Sequence, residues 1–315
     1  MKLQKVTFII CVFFISLVSA QTKNPQSIYR KEKDKVHTLE HTKLAVSLDF
    51  KNKELKGEAW LTLRPYFYAT NKVTLDAKAM IIHSIQLNNK EVGYNYDGEE
   101  LIVELSKNYT KEEAFTLYIK YTARPEKVKQ KGSSAITQAK GLYFINANGL
   151  DKTKPTQVWT QGETEASSCW FPTIDSPNQK TSQELIITVP DKYKTLSNGI
   201  LEKQTANNNG TRTDYWNFKQ KHAPYLFFLG VGEFEIIKDS YKNIPVEYYV
   251  EKKYAPYAKD IFGLTPEMMA FFSKITGIEY PWSKYSQIVG RDYVSGAMEN
   301  TTAVIHGEQA YQMPG

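Results

Sequence analysis

Two carboxylates stand in settings that could do chemistry. Glu163 closes Thr160-Gln161-Gly162-Glu163, with Glu165, Cys169, Trp170 and Phe171 close behind. Glu299 sits in Val294-Ser295-Gly296-Ala297-Met298-Glu299-Asn300. A pair of carboxylates from distant segments can clamp an ammonium group through charge-assisted hydrogen bonds. Gly296 and Ala297 carry little side chain, so a substrate backbone could approach an edge strand there and pair with it. On residue types alone each glutamate could equally be an ordinary surface acid. Spacing in the sequence does not show that the two segments meet.

Two other patterns suggest metal chemistry and fail on context. His37-Thr38-Leu39-Glu40-His41 matches H-x-x-E-H, an inverted zinc-protease motif. That motif needs a helix, where residues i and i+4 lie ~6 Å apart along the axis. Here the segment runs straight into the alternating stretch from Leu44 to Leu48. On an extended chain the two histidines lie ~13 Å apart, too far to share one zinc. The segment is expected to be a partly exposed strand edge. His306-Gly307-Glu308 resembles the start of a deaminase metal motif, but no cysteine pair follows it. His83 and His222 are scattered, and no histidine is followed directly by glutamate, so H-E-x-x-H is absent.

The elements that must position these residues are mostly strands. From about residue 37 to 235 the apolar period is two: Leu44, Val46 and Leu48; Leu61 and Leu63; Leu101, Val103 and Leu105; Leu117, Ile119 and Tyr121; Leu185, Ile187 and Val189. Such runs predict half-buried antiparallel strands. Turn residues separate them at Asn88-Asn89, Asp97-Gly98, Ser197-Asn198-Gly199 and Asn207 to Gly210. The fold class is therefore mainly β, with a large antiparallel domain over residues 37–240. Beyond that the pattern mixes. Val246, Tyr248 and Val250 still alternate, and Thr265-Pro266-Glu267 then starts a helix with Thr265 as its cap. Met268, Phe271, Phe272 and Ile275 recur at helical spacing and are expected to pack into a core, with Gly277 closing the helix. Residues 241–315 thus begin a second, α+β domain that has no room to finish.

Composition bounds the class. With 315 residues, 41% of them hydrophobic, two domains with real cores are expected. Residues 1–20 read as a secretory signal peptide: Lys2 and Lys5, a mostly apolar run from Val6 to Val18, then the small-residue site Val18-Ser19-Ala20. The run is too short to span ~30 Å of hydrocarbon. Residues 21–36 follow as a linker. Removing the leader takes two lysines and no acid, so the formal charge falls from +6 to +4. Charges of both signs are interspersed, as in Lys31-Glu32-Lys33-Asp34-Lys35, which argues for a solvated face and against nucleic-acid binding. Cys11 leaves with the leader, so Cys169 has no disulfide partner in the chain. An exported protein, periplasmic or secreted and of bacterial type, fits these features.

Five segments together resemble the zinc aminopeptidases related to aminopeptidase N. Gly296-Ala297-Met298-Glu299-Asn300 is that family's exopeptidase signature, and Thr160-Gln161-Gly162-Glu163 looks like its T-Q-x-E. Phe171-Pro172-Thr173-Ile174-Asp175-Ser176-Pro177 is similar to its F-P-C-F-D-E-P. Ser197-Asn198-Gly199 and Tyr280-Pro281-Trp282-Ser283-Lys284 stand where the family has S-N-G and Y-P-x-x-K. The resemblance runs from about residue 37 to the last residue, in the family's order.

It implies a saddle-shaped β domain followed by the start of a thermolysin-like catalytic domain. It also implies that Glu163 and Glu299 bind the free α-ammonium of a peptide. Gln161 and Met298 would line the first side-chain pocket, the backbone of Gly296 and Ala297 would hold the substrate as an added strand, and Asn300 completes the substrate-binding set. The cofactor implied is one zinc ion, whose bound water would attack the first peptide bond with a glutamate as general base. The family's H-E-x-x-H, third glutamate ligand and transition-state tyrosine lie after G-A-M-E-N, and none occurs here. The chain thus reads as an N-terminal portion, expected by itself to bind no catalytic zinc and to hydrolyse nothing. The rival readings are a non-catalytic peptide-binding or interaction protein on the same β domain, and a carbohydrate-binding module. The family usually carries arginine where this chain has Ala166-Ser167-Ser168-Cys169-Trp170, which questions the local packing more than the chemistry.

Overall fold

Alternation along the strands becomes register across the largest sheet. In the computed structural model, which describes residues 33–129 and 132–313, His37–Asp49 pairs antiparallel with Glu54–Pro65, setting Leu44 against Ala59. Glu54–Pro65 pairs in turn with Phe115–Ala123, setting Leu61 against Leu117 and Ala59 against Ile119. Because the side-chain period is two, one register places all of these on one face. Leu44, Leu61, Leu63, Leu117, Ile119, Leu185 and Ile187 are buried there. Each fully buried Leu or Ile contributes ~2 kcal/mol relative to exposure. The other strands of this eight-stranded sheet are Ile200–Asn207, Thr211–His222, Thr181–Pro190, Met80–Leu87 and the short Lys90–Glu91. Asn88 and Asn89, both at positive φ, make the tight turn joining those last two, as expected.

Three smaller sheets complete the described residues. Thr70–Asp76, Glu100–Tyr109 and Tyr94–Tyr96 form a three-stranded sheet whose Val73, Leu75, Leu101 and Val103 join the same core. Lys194–Ser197, Leu229–Gly232, Gln157–Thr160 and Leu142–Ile145 form a four-stranded sheet, nearly every residue of which is buried. The five-stranded sheet runs Phe234–Tyr241, Ile244–Glu251, Tyr285–Gly290, Ala303–Gly307, Ala297–Met298. It already begins at Phe234, inside the span that the change of pattern gives to the first domain. Its middle pairings are parallel, and the helices Ala258–Phe262 and Thr265–Thr276 lie in the crossover that a parallel pair requires. Among the described residues no helix is long and apolar enough to cross a membrane. Residues 1–20, read as a leader, lie outside the described residues, as does most of the linker.

The structure corrects three expectations. The large sheet is not wholly antiparallel: His41–Ser47 pairs in parallel with Ser182–Thr188. Apolar alternation is the same for either direction, so it does not carry that information. The His37–His41 segment is extended, as expected, but it is no exposed edge. His37 is buried, edge-on to Phe115 at 6.1 Å, and burial lowers its pKa to about 4. Beside it the Gln179 amide stands in for a neighbouring strand: its Oε1 accepts the Leu39 N–H at 2.9 Å, and its Nε2 donates to the His37 carbonyl at 3.0 Å.

Third, the Thr265–Thr276 helix has its expected span and its left-handed close at Gly277 (φ 69°), but Leu264 is its cap and the apolar stripe faces outward. Met268, Phe271, Phe272 and Ile275 are 53–59% exposed. The helix seats itself instead through buried Met269 and Thr265, whose hydroxyl donates to the Phe262 carbonyl at 2.7 Å and accepts from Gln287 Nε2 at 2.8 Å.

These burials set a contrast that urea unfolding checks. Leu61→Ala should cost ~2–5 kcal/mol through the cavity it leaves. Phe271→Lys with Phe272→Lys should change stability by no more than ~0.5 kcal/mol while reducing self-association. A large loss from the double lysine variant would show that the stripe is packed.

Candidate functional site

Glu163 is placed by a strand buried along its whole length. Gln157, Val158, Trp159 and Thr160 lie between the Leu142–Ile145 and Leu229–Gly232 strands. Trp159 stacks on Tyr143 at 4.2 Å, and the Thr160 hydroxyl accepts the Leu229 N–H at 2.9 Å. The chain then leaves the sheet. Gln161 N–H donates to the Gly141 carbonyl at 3.0 Å, and Gly162 passes so close to Tyr225 that a Cβ would lie 2.3 Å from that residue's carbonyl oxygen. The residue at 162 must therefore be glycine, which fixes where Glu163 emerges, half-buried.

The Ala166–Trp170 stretch, where the family usually has arginine, is packed without one. All five residues are buried, and the Ser167 hydroxyl donates to the Pro224 carbonyl at 2.8 Å. Burial pushes the Cys169 thiol up to about 12, so it is a core residue and not a nucleophile. Asp175 accepts the Ser168 N–H at 2.8 Å, and its burial lifts its pKa to about 7.

Glu299 arrives from the five-stranded sheet. Ala297–Met298 is its edge strand, paired antiparallel with Ile305 and His306. The Gly296 carbonyl accepts from Gly307 N–H at 2.9 Å, so strand alternation turns the Ala297 N–H and C=O away from the sheet. Gly296, Ala297 and Glu299 are exposed, whereas Met298 and Asn300 are buried. The expected edge strand is thus present. The side-chain amides of Gln161 and Asn300 are both buried, and none of their nitrogens or oxygens has a hydrogen-bond partner among the described residues.

The two segments converge. Burial, then the charges of Glu299 and Glu163, raise the Tyr225 hydroxyl pKa. The Tyr293 hydroxyl is raised by burial, then by Tyr143, Glu163 and Glu299. Geometry agrees: Gly162 lies against the Tyr225 carbonyl, and Asn198 joins the adjacent Leu226 carbonyl to that of Thr301, so both segments meet at Tyr225–Leu226. Neutral and charged groups together hold that arrangement. Arg291 N–H donates to Gln157 Oε1 at 2.9 Å, and its carbonyl accepts from Trp159 Nε1 at 3.1 Å. Its guanidinium grips Glu251 through two bonds, of 2.5 and 2.8 Å.

On the far side of Glu299, Asn198 donates to the carbonyls of Leu226 and Thr301 at 2.9 and 2.6 Å, and Gly199 N–H donates to Thr302 Oγ1 at 2.8 Å. The Lys284 ammonium donates to Ser197 O, Thr302 O and Thr302 Oγ1 at 2.8, 3.0 and 3.3 Å. Burial pushes its pKa down to about 7, and the charge of Glu247 opposes that shift. Ser197-Asn198-Gly199 and Lys284, noticed in sequence only as family marks, therefore meet at the turn after Asn300. Tyr225, Tyr293 and Arg291 had no sequence signal.

No group of three or more His, Cys, Asp or Glu could hold a metal ion among the described residues. His41 bonds Ser182 and Glu184, and His306 bonds Gln287. The described residues therefore do not fit the zinc that the resemblance implies.

Comparison with known proteins agrees with the motifs. Residues 38–226 match the Peptidase M1 N-terminal domain, and the chain belongs to that family. Relatives include "Probable aminopeptidase 1" of Saccharolobus solfataricus, 25% identical over 85% of this chain and 31% of its own length. Another is transcription initiation factor TFIID subunit 2 of Gallus gallus, 22% identical over 82% of this chain and 25% of its own. A crystal structure of Legionella pneumophila aminopeptidase A in complex with aspartic acid shares the fold, with a TM-score of 0.72 at 20% identity, over 88% of this chain and 31% of that one. The chain spans about a third or less of the length of these relatives.

Asp175 supplies a pH test of the packing behind Glu163. Its folded pKa, about 7, lies above its unfolded value, so the native state holds the extra proton between about pH 4 and 7. Its contribution to stability is present below that window and is lost as pH rises through it. Asp175→Asn, which mimics the protonated acid, should gain stability over the wild type at pH 8 compared with pH 4. Taking the difference cancels buried His37 and His222. Urea unfolding at the two pH values measures it, and a constant difference would show that Asp175 is ionised in the fold.

Proposed function

We propose that this chain is the substrate-gripping part of a zinc metallo-aminopeptidase that removes N-terminal residues from peptides. Glu163 and Glu299 bind the free α-ammonium, Gln161 and Met298 meet the first side chain, and Gly296 and Ala297 offer backbone to an incoming strand. Asn300 offers a buried amide. The single observation that carries this reading is that both segments meet at Tyr225–Leu226, with Gly162 against the Tyr225 carbonyl and Thr301 tied to Leu226 through Asn198. The outward-facing edge strand beside Glu299 supports it. M1 aminopeptidases are generally zinc-dependent, and this chain's own residues supply amine and backbone recognition, with no zinc ligands among those described.

Residues 37–240 act as the β domain and 241–315 as the beginning of the catalytic domain. The partner is a peptide with a free N-terminus, met outside the cytoplasm after export through residues 1–20. The similarity to a transcription-factor subunit favours one alternative, an interaction protein on the same β domain.

Binding of a short peptide and its N-acetylated form, followed by NMR titration, separates the readings. Glu299→Ala should weaken the free-amine peptide by ~10- to 100-fold, the worth of a charge-assisted hydrogen bond, and leave the acetylated one little changed. Equal losses for both would count against an amine clamp. Incubated with one equivalent of zinc, the 315-residue polypeptide should retain no stoichiometric metal and release no amino acid from a test peptide. Retention together with release would defeat that expectation.

A further inference from the structure

We propose that Lys284 is a positioning residue that sets Glu299 against Glu163, an inference that rests on the amine-clamp reading above. Lys284 is 3% exposed, an unusual place for an ammonium, whose transfer from water is expensive unless each N–H finds an acceptor. Here each does. The three acceptors are Ser197 O, Thr302 O and Thr302 Oγ1, and an ammonium has three N–H groups on one atom. The Trp216 ring lies 5.2 Å from Nζ and adds the attraction of its face for a cation.

The acceptors lie on the two arms of the clamp. Ser197 ends the Lys194–Ser197 strand, which pairs with Leu229–Gly232. That strand pairs with Gln157–Thr160, which leads directly to Gln161 and Glu163. Thr302 lies in the turn that follows Glu299 and Asn300, closed by Ala303 N–H donating to the Asn300 carbonyl at 3.0 Å. Thr302 holds a positive φ of 66°, costly for a β-branched residue and sustained by bonds from its surroundings. One buried nitrogen thus joins the sheet that carries Glu163 to the turn that carries Glu299. A lysine that served stability alone would weaken the fold and leave the recognition of amines intact. A positioning lysine changes the selectivity itself.

The test compares a short peptide with its N-acetylated form on the 315-residue chain at pH 6, where the peptide amine is protonated. Lys284→Met keeps the length of the side chain and removes all three donors. The preference for the free amine should fall at least about fivefold, toward that of Glu299→Ala, while thermal unfolding stays cooperative. Should Lys284→Met fail to fold, Lys284→Gln removes the charge and keeps an amide with two N–H donors, and a smaller drop in preference in the same direction is expected. A folded variant that discriminates as well as wild type overturns the role of Lys284 while leaving the clamp standing. A wild type with no preference overturns both.

Discussion

The segments that bear Glu163 and Glu299 are joined through Asn198, whose amide donates to the carbonyls of both Leu226 and Thr301, and the geometry of the candidate site depends on that tie. Further restraint comes from bonds placed on either side of Glu299. Arg291 ties the approach to Glu299 onto Gln157 and Trp159. Asn198 and Lys284 tie its exit onto the Ser197 corner. Most of these ties use backbone carbonyls and N–H groups, which hold position without adding net charge to a site that already carries two negative ones.

Much of the frame was legible because sheets write a period of two into the chain. Leu44, Leu61, Leu117 and Leu185 announce strands, and all are buried. The glycine and alanine before Glu299 suggested an edge strand, and Ala297–Met298 is one. Direction was not legible. His41–Ser47 and Ser182–Thr188 lie about 140 residues apart and pair in parallel, yet each run would look the same in an antiparallel ladder. Pairing direction depends on the path of the chain between strands, which local periodicity does not encode.

The outward face of the helix and the burial of the lysine were missed for opposite reasons. Met268, Phe271, Phe272 and Ile275 have the spacing of a core face, and the spacing did predict a helix. Periodicity defines a face without specifying what lies against it, and in this chain that face is exposed. Lys284 sits in a stretch that looks like surface, because lysine usually is surface. Its burial follows from three acceptors that come together only after residues about 87 apart, Ser197 and Lys284, have been folded into neighbouring sheets.

Gln161 and Asn300 carry the same logic one step further. They stand on the two segments that bear the glutamates, and their buried amides have no partner among the described residues. A buried polar group left unpaired costs ~1–3 kcal/mol. Such amides are satisfied by bound water or by a ligand with complementary donors and acceptors. A simple amine could satisfy the carboxylates, but it has no carbonyl to accept from an amide and no peptide N–H to give. On the proposed reading the glutamates select for a positive end, while the amides and the outward-facing Ala297 backbone select for the peptide groups behind it. Recognition of a peptide N-terminus, as opposed to any cation, then depends on pairing both sets at once, and that requires the two segments to be held as rigidly as the ties around them provide.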